Sequence, residues 1–253
     1  MPGFPCPFGC GSDISADDDE GLVFAAHGHF SEAHPEMGLT EMSVRNYFEA
    51  ADRLTGSTER LDQIGEVVIR PTGADNVDDV LAFFDHDGFA GNPGWAACYC
   101  LFHHIDRSPG LDDWGNRSAQ QNRQDLAERL ADGSTWGWVA YVDGHLGGWV
   151  NASPRRSFPD HAAGTAEDDT TGAIVCFVIA PPYRRHGVGR ALLDAACQGL
   201  AERGMTVAES YPVIEPSGDA GSYPGPLSLY LDAGFERVEG GNERQGVARR
   251  QLA

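Results

Sequence analysis

Arg184, Arg185 and Arg190 surround two glycines in the run Arg184-Arg185-His186-Gly187-Val188-Gly189-Arg190. The apolar stretch from Ala173 to Ala180 precedes this run, and an amphipathic one with Leu192 and Leu193 follows it. A strand, a basic glycine turn and a helix together make a cradle for a pyrophosphate. Glycine lets backbone N–H groups approach phosphate oxygens, and the helix points its positive end at the same place. No acid occurs between residues 183 and 190, so the turn reverses the sign of a very acidic chain. A second group of residues has metal-ligand chemistry. Cys6 and Cys10 flank Pro-Phe-Gly, and His27, His29 and His34 follow an acidic run at residues 17–20. Two thiolates from a tight turn and two imidazoles from one helix suit a tetrahedral zinc. Cys6, Cys10, His29 and His34 are the expected ligands, with His27 as the rival of His29. Cys98 and Cys100, beside His103 and His104, form another candidate; they share a face if that stretch is a strand.

The order R-x-x-G-x-G at Arg184, Gly187 and Gly189 resembles the coenzyme A motif of the GNAT acyltransferase superfamily. Some forty residues on, Leu229-Tyr230 followed by Gly234-Phe235 resembles its other signature, L-Y-x-x-x-G-F. A helix at 187–203 and a strand at 205–210 separate the two motifs, in the right order. The resemblance covers about residues 65–253. It implies an α/β mixed sheet, acetyl-CoA as cofactor, and acetyl transfer to an amine. It further implies that the backbone of Phe177, Val178 and Ile179 pairs with the pantetheine arm. An N–H near Val178 would meet the oxyanion. Tyr230 would give a proton to the departing sulfur. The chain departs from the pattern at Tyr223, where an Asn often stands seven residues before the tyrosine.

A proton must also leave the amine. Glu209, at the end of the strand after the cofactor helix, is the expected base, with a pKa raised by partial desolvation. His103 and His104 are its rivals.

The elements that must position these groups divide the chain near Gly65. Residues 1–60 carry eleven acids against three arginines. They read as a small ββα zinc module with a helix to about Ala33, followed by a helix from Glu41 to Leu61. So small a segment needs a metal or a docking surface to fold. From Glu66 the pattern predicts a strand at 67–71 and a helix at 76–85. A helix at 118–131 follows, then a hairpin of 136–142 and 145–151 around Asp143-Gly144. Residues 86–116 and 153–171 read as loops that choose the acceptor. A strand at 173–180, a short helix at 226–233 and strands near 235–238 and 246–252 complete the pattern.

With 38 acids, 18 basic residues (all arginine) and a net charge of −20, the chain repels nucleic acid and anionic membranes. The same field favours a cationic partner. The six cysteines do not form an export-type disulfide framework, and the first residues lack a signal-peptide pattern, so a cytoplasmic location is expected. The leading expectation is an acetyl-CoA-dependent N-acetyltransferase acting on a small cationic amine. Two alternatives are a protein acetyltransferase that finds a protein partner through residues 1–60, and a non-catalytic acyl-CoA sensor.

Overall fold

The structure is a computed structural model that describes residues 2–108, 110, 114–162, 170–215, 218 and 220–252. In chain order the elements are strands β1 (Gly3–Pro5) and β2 (Asp13–Ser15), helices α1 (Asp19–Ala33) and α2 (Glu41–Arg53), strand β3 (Val67–Pro71), and helices α3 (Val77–His86) and α4 (Ala119–Ala131). Strands β4 (Gly137–Val142) and β5 (His145–Pro154), the single turn α5 (Pro159–Ala162), strand β6 (Thr171–Ile179), helix α6 (Val188–Glu202) and strand β7 (Val207–Ser210) follow. Helix α7 (Leu227–Leu231) and strands β8 (Glu236–Gly241) and β9 (Gly246–Gln251) close the chain.

β3 to β9 form one sheet in the order β3-β4-β5-β6-β7-β9-β8. Every neighbouring pair is antiparallel except β6 and β7, which run parallel, as the crossover through α6 requires. Local chemistry starts three of the helices. Asp18 caps α1 through Gly21 N–H at 2.7 Å, Thr40 caps α2 through Ser43 N–H at 3.1 Å, and Ser118 with Gln121 forms a capping box on α4. Asp143 and Gly144 both take positive φ at the β4–β5 hairpin, and the Asp143 carboxylate accepts the N–H groups of Gly65 and Glu66. That contact pins the backbone just before β3.

The sheet buries both faces. Val139, Trp149 and Val175 meet α3 and α4, whereas Trp138, Val150 and Ile174 meet α6 and α7. Close approach of α6 depends on Gly199, where a Cβ would collide with the Trp138 ring. A separate apolar cluster holds the N-terminal hairpin and α1 together: Ile14, Leu22, Val23, Ala26 and Phe30, closed by Val44 of α2.

Several expectations need correction. The helix expected at 41–61 stops at Arg53, because Gly56 leaves the helical path to donate its N–H to His86 O. Cys98 ends a short 3₁₀ stretch and Tyr99 and Cys100 take left-handed φ, so this stretch is a turn rather than a strand. The loop expected from residue 153 begins later: β5 reaches Pro154, and Arg155 and His161 lie in short helical turns. Residues 163–169 of that expected loop lie outside the described residues.

Candidate active site

The site is an opening in the sheet. β6 pairs with β7 only from Thr171 to Ile174, and the two strands then part. On its other side β6 stays paired with β5 up to Ile179, through a register shift between Asn151 and Ala152. The wedge that results forms one wall of a cavity of about 890 Å³, whose lining includes Cys176, Phe177, Val178 and Ile179. Phe177 N–H points into the wedge and donates to Tyr223 O at 2.7 Å. Ala180 N–H points the other way, to Gly147 O at 3.0 Å. Alternation along the strand therefore turns Val178 N–H toward β5. Val178 N–H, expected near the oxyanion, thus faces β5, and on the wedge side Phe177 N–H is taken by Tyr223 O.

Pro181, Arg184 and Arg185 line one end of the cavity. Gly187 takes φ +83° as the N-cap of α6, and the first intrahelical bond is Ala191 N–H to Gly187 O. The N–H groups of Val188, Gly189 and Arg190 therefore have no intrahelical acceptor, as a phosphate site needs. A Cβ on Gly189 would approach only Ile179 Cδ1, at 3.3 Å. The cations differ in their commitments. Arg184 Nε donates to Ile179 O at 2.8 Å, and Arg185 is exposed with φ +66°. Arg190 is held by Asp194 at 2.8 Å and by Asp232 O at 2.9 Å, which directs it along α6. His186 donates through Nε2 to Leu61 O at 2.8 Å, so it docks the segment before β3 instead of reaching a ligand.

The other end is aromatic and contains residues that no motif announced. Trp95 and Tyr223 rings lie 5.3 Å apart, Phe102 and Trp114 also 5.3 Å, and His103 packs 6.0 Å from Tyr223. Ser43 and Asn46 of α2 line the same cavity. Asn46 donates to Arg117 O and accepts from Ala119 N–H, both at 2.9 Å. The only sequence signal for this contact was a polar residue on the buried side of a helix.

The two expected catalytic residues stand apart from the cavity. Tyr230 is 0% exposed, its hydroxyl donates to Pro224 O at 2.7 Å, and it is absent from the cavity lining. Burial pushes its phenol well above the usual value. The hydroxyl expected as the acid is thus engaged by Pro224 O and does not line the cavity. Glu209 is 3% exposed and accepts from Arg155 (3.2 Å), Arg249 (2.6 Å) and Tyr211 (2.5 Å). Burial raises its pKa, but the Tyr211 and Arg249 hydrogen bonds and the two arginine charges outweigh that and hold it below the ordinary carboxylate value. The raised value expected of Glu209 is thus reversed, and a carboxylate so paired is a poor base.

His104 bonds to Ser157 O at 3.3 Å and to the Asn151 side chain at 3.1–3.3 Å, a satisfied structural histidine. Burial pushes the Cys98 thiol up to about 12. Among the described residues, the only cluster of three or more potential ligands is Cys6, Cys10, His29 and His34, whose ligand atoms all lie within 4.8 Å of one another. Cys6 Sγ is 3.3 Å from His34 Nε2, and Cys10 Sγ is 3.4 Å from His29 Nε2. A tetrahedral zinc with bonds of about 2.0–2.3 Å sets its ligand atoms roughly 3.3–3.8 Å apart, so the group fits the metal. His27 turns away to Ser31, 3.4 Å distant.

No curated protein matches the chain. Similar solved structures include the GNAT domain of S. lividans PAT, at 15% identity over 74% of this chain and 92% of that one, TM-score 0.47. Another is a ribosomal-protein-alanine N-acetyltransferase from Brucella melitensis, at 19% identity over 73% and 99%, TM-score 0.43. A third is the PaiA N-acetyltransferase from Thermoplasma acidophilum in complex with coenzyme A, at 13% identity over 74% and 99%, TM-score 0.44. Residues 99–213 match the model of the acetyltransferase (GNAT) family, and the chain carries an acetyltransferase domain of that family.

Proposed function

We propose that this chain transfers the acetyl group of acetyl-CoA to the primary amine of a small acceptor. The observation that supports this most is the parting of β6 and β7 beyond Ile174, with the basic turn of α6 at one end of the cavity and an aromatic chamber at the other. A pyrophosphate fits the turn, the pantetheine arm lies in the wedge beside β6, where it would replace Tyr223 O at Phe177 N–H, and the thioester then faces the chamber. Held in line, amine and thioester gain the advantage of an intramolecular reaction. Among the described lining residues there is no carboxylate. The cationic acceptor that the net charge favours is therefore drawn in by the acidic surface, and its amine reacts in a chamber suited to the neutral form.

The same reading assigns one structural zinc to Cys6, Cys10, His29 and His34, holding the β1–β2 hairpin to α1. Recruitment of a protein target through residues 1–60 is the second reading. It is less favoured because α2 is committed to the cavity wall. No helix among the described residues is long and apolar enough to cross a membrane.

The test is release of free thiol from acetyl-CoA by the full chain against panels of small amines and of proteins. Release with small amines is the expected result. Binding of acetyl-CoA without release in either panel would leave only the sensor reading, and release with proteins alone would leave only the recruited one.

A further inference from the structure

Trp95, Tyr223, His103, Phe102 and Trp114 form an unbroken arc of rings in the wall of the cavity. Successive centroids lie 5.3, 6.0, 5.4 and 5.3 Å apart, with interplanar angles of 48°, 40°, 84° and 80°. Rings prefer tilted and edge-to-face contacts at such spacings, so a further ring joins the set on the same terms. Burial first, then the charges of His161, Arg107 and His104, push the His103 imidazole down to about 3, so this ring too is uncharged at neutral pH. The charges of the wall have one sign. Among the described lining residues the charged side chains are Arg117, Arg184 and Arg185, and Arg107, outside the lining, lies 3.4 Å from the Phe102 centroid. A second ammonium on the acceptor would meet only cations, which disfavours a polyamine. The same charges favour the neutral form of the one amine that must attack.

The polar side chains beside Trp114 are spent on the protein. Ser43 bonds to Thr40 at 3.0 Å, Asn46 bridges Arg117 O and Ala119 N–H, and Asn122 donates to Ala97 O and accepts from Arg117 Nε, both at 2.7 Å. An acceptor rich in hydroxyl groups would lose its water there without full replacement. Tyr223 belongs to the arc and also accepts Phe177 N–H, so the arc begins where β6 opens. A ring on the arc and an amine at the thioester therefore need only a short spacer. We propose that the acceptor is an arylalkylamine, one primary amine on a short chain whose aromatic ring lies against this arc. Its nitrogen lone pair forms the C–N bond to the acetyl carbon, the C–S bond breaks with its electrons on sulfur, and the proton lost by nitrogen balances the one gained by the coenzyme thiol. This rests on the acetyl-transfer reading above.

The test measures amine binding to the full chain by calorimetry with coenzyme A present, and kcat/KM by thiol release from acetyl-CoA. The probes are phenethylamine, its cyclohexyl analogue, spermidine and tetramethylammonium, the first two at matched free-base concentration. The cyclohexyl analogue keeps length and bulk but has no π face, so phenethylamine should be favoured about tenfold in both measurements. Spermidine and tetramethylammonium should bind at least about tenfold more weakly than phenethylamine. Trp95→Leu or Trp114→Leu should bring the phenyl-to-cyclohexyl preference within about threefold. Equal handling of the two rings by the wild type overturns the proposal, whatever the variants do. So does tetramethylammonium binding as tightly as phenethylamine, because the arc would then be reading charge. A full preference kept by both leucine variants overturns it as well. Spermidine acetylated in preference to phenethylamine overturns the arylalkylamine and leaves the acetyl-transfer reading standing. Phenethylamine that binds with the expected preference but is not acetylated supports the arc as a ring-binding site and overturns instead the acetyl-transfer reading.

Discussion

Replacing Tyr230 by phenylalanine deletes one oxygen and keeps the ring. The ring packs against Phe235 at 5.2 Å and Phe177 at 6.4 Å, and the Tyr230→Phe variant would keep both contacts. What is lost is the 2.7 Å bond to Pro224 O, in a residue that is 0% exposed. Leaving a buried carbonyl without its donor costs about 1–3 kcal/mol. In a chain of 253 residues each kcal/mol shifts the midpoint by about 2–4 °C, so Tm should fall by roughly 2–12 °C. The turnover number should stay within about threefold of wild type, because the hydroxyl does not face the cavity. Circular-dichroism melting and a thiol-release assay on the same preparations measure both quantities. An unchanged Tm with a loss of about 10²–10⁴-fold in kcat would refute the reasoning and return the general-acid role to Tyr230.

Glu209→Gln removes the buried charge that Arg155 and Arg249 both meet and should cost about 3–5 kcal/mol in urea unfolding at neutral pH. Because the Glu209 pKa is lowered on folding, its contribution is fully present above the ordinary value of 4.5 and is lost as pH falls through the folded value; the variant should show a flatter stability curve there. Arg185→Ala should weaken acetyl-CoA binding about tenfold by calorimetry, whereas Arg190→Ala, already committed to Asp194 and Asp232, should cost less than about threefold; equal losses would contradict the assignment. Elemental analysis should find one zinc per chain, absent from a Cys6→Ser, Cys10→Ser double variant, and chelation should open residues 2–40 to protease without weakening acetyl-CoA binding; zinc that persists in the double variant would refute the site.

What was legible in the sequence was set by neighbours in the chain. The basic turn before α6 and the Asp143-Gly144 hairpin act over a few positions, and each appears where the pattern placed it. The gathering of Cys6, Cys10, His29 and His34 was legible because a hairpin and one helix bring them together. The surroundings of the expected catalytic residues were less legible, because they depend on how separate segments pack. Burial raises Glu209, and it is lowered by the Tyr211 hydroxyl two positions on and then by Arg249 and Arg155, 40 and 54 positions away. Tyr230 is spent on Pro224, whose carbonyl is turned inward by the path of residues 222–226 past β6. The departure from the family pattern at Tyr223 marked a residue that supplies both a backbone acceptor for Phe177 and a ring in the chamber.

Helix α2 ties the N-terminal cluster to the cavity. Its Val44 side closes the N-terminal apolar cluster, and its Asn46 side bridges Arg117 O and Ala119 N–H at the start of α4. At its far end Arg53 donates to the Tyr99 hydroxyl, which in turn donates to Asp85 of α3, also paired with Arg123. The exposed Arg45–Glu20 pair joining α2 to α1 adds little by itself. The buried amide of Asn46 matters more, since neither of its bonds survives if α2 shifts by more than a fraction of an ångström. An arm that only recruits targets would be joined by a polar linker and would bury nothing against the catalytic sheet. Here the same helix completes the module's core and lines the cavity, so order that a bound metal would impose on residues 2–34 would be carried directly into the cavity wall.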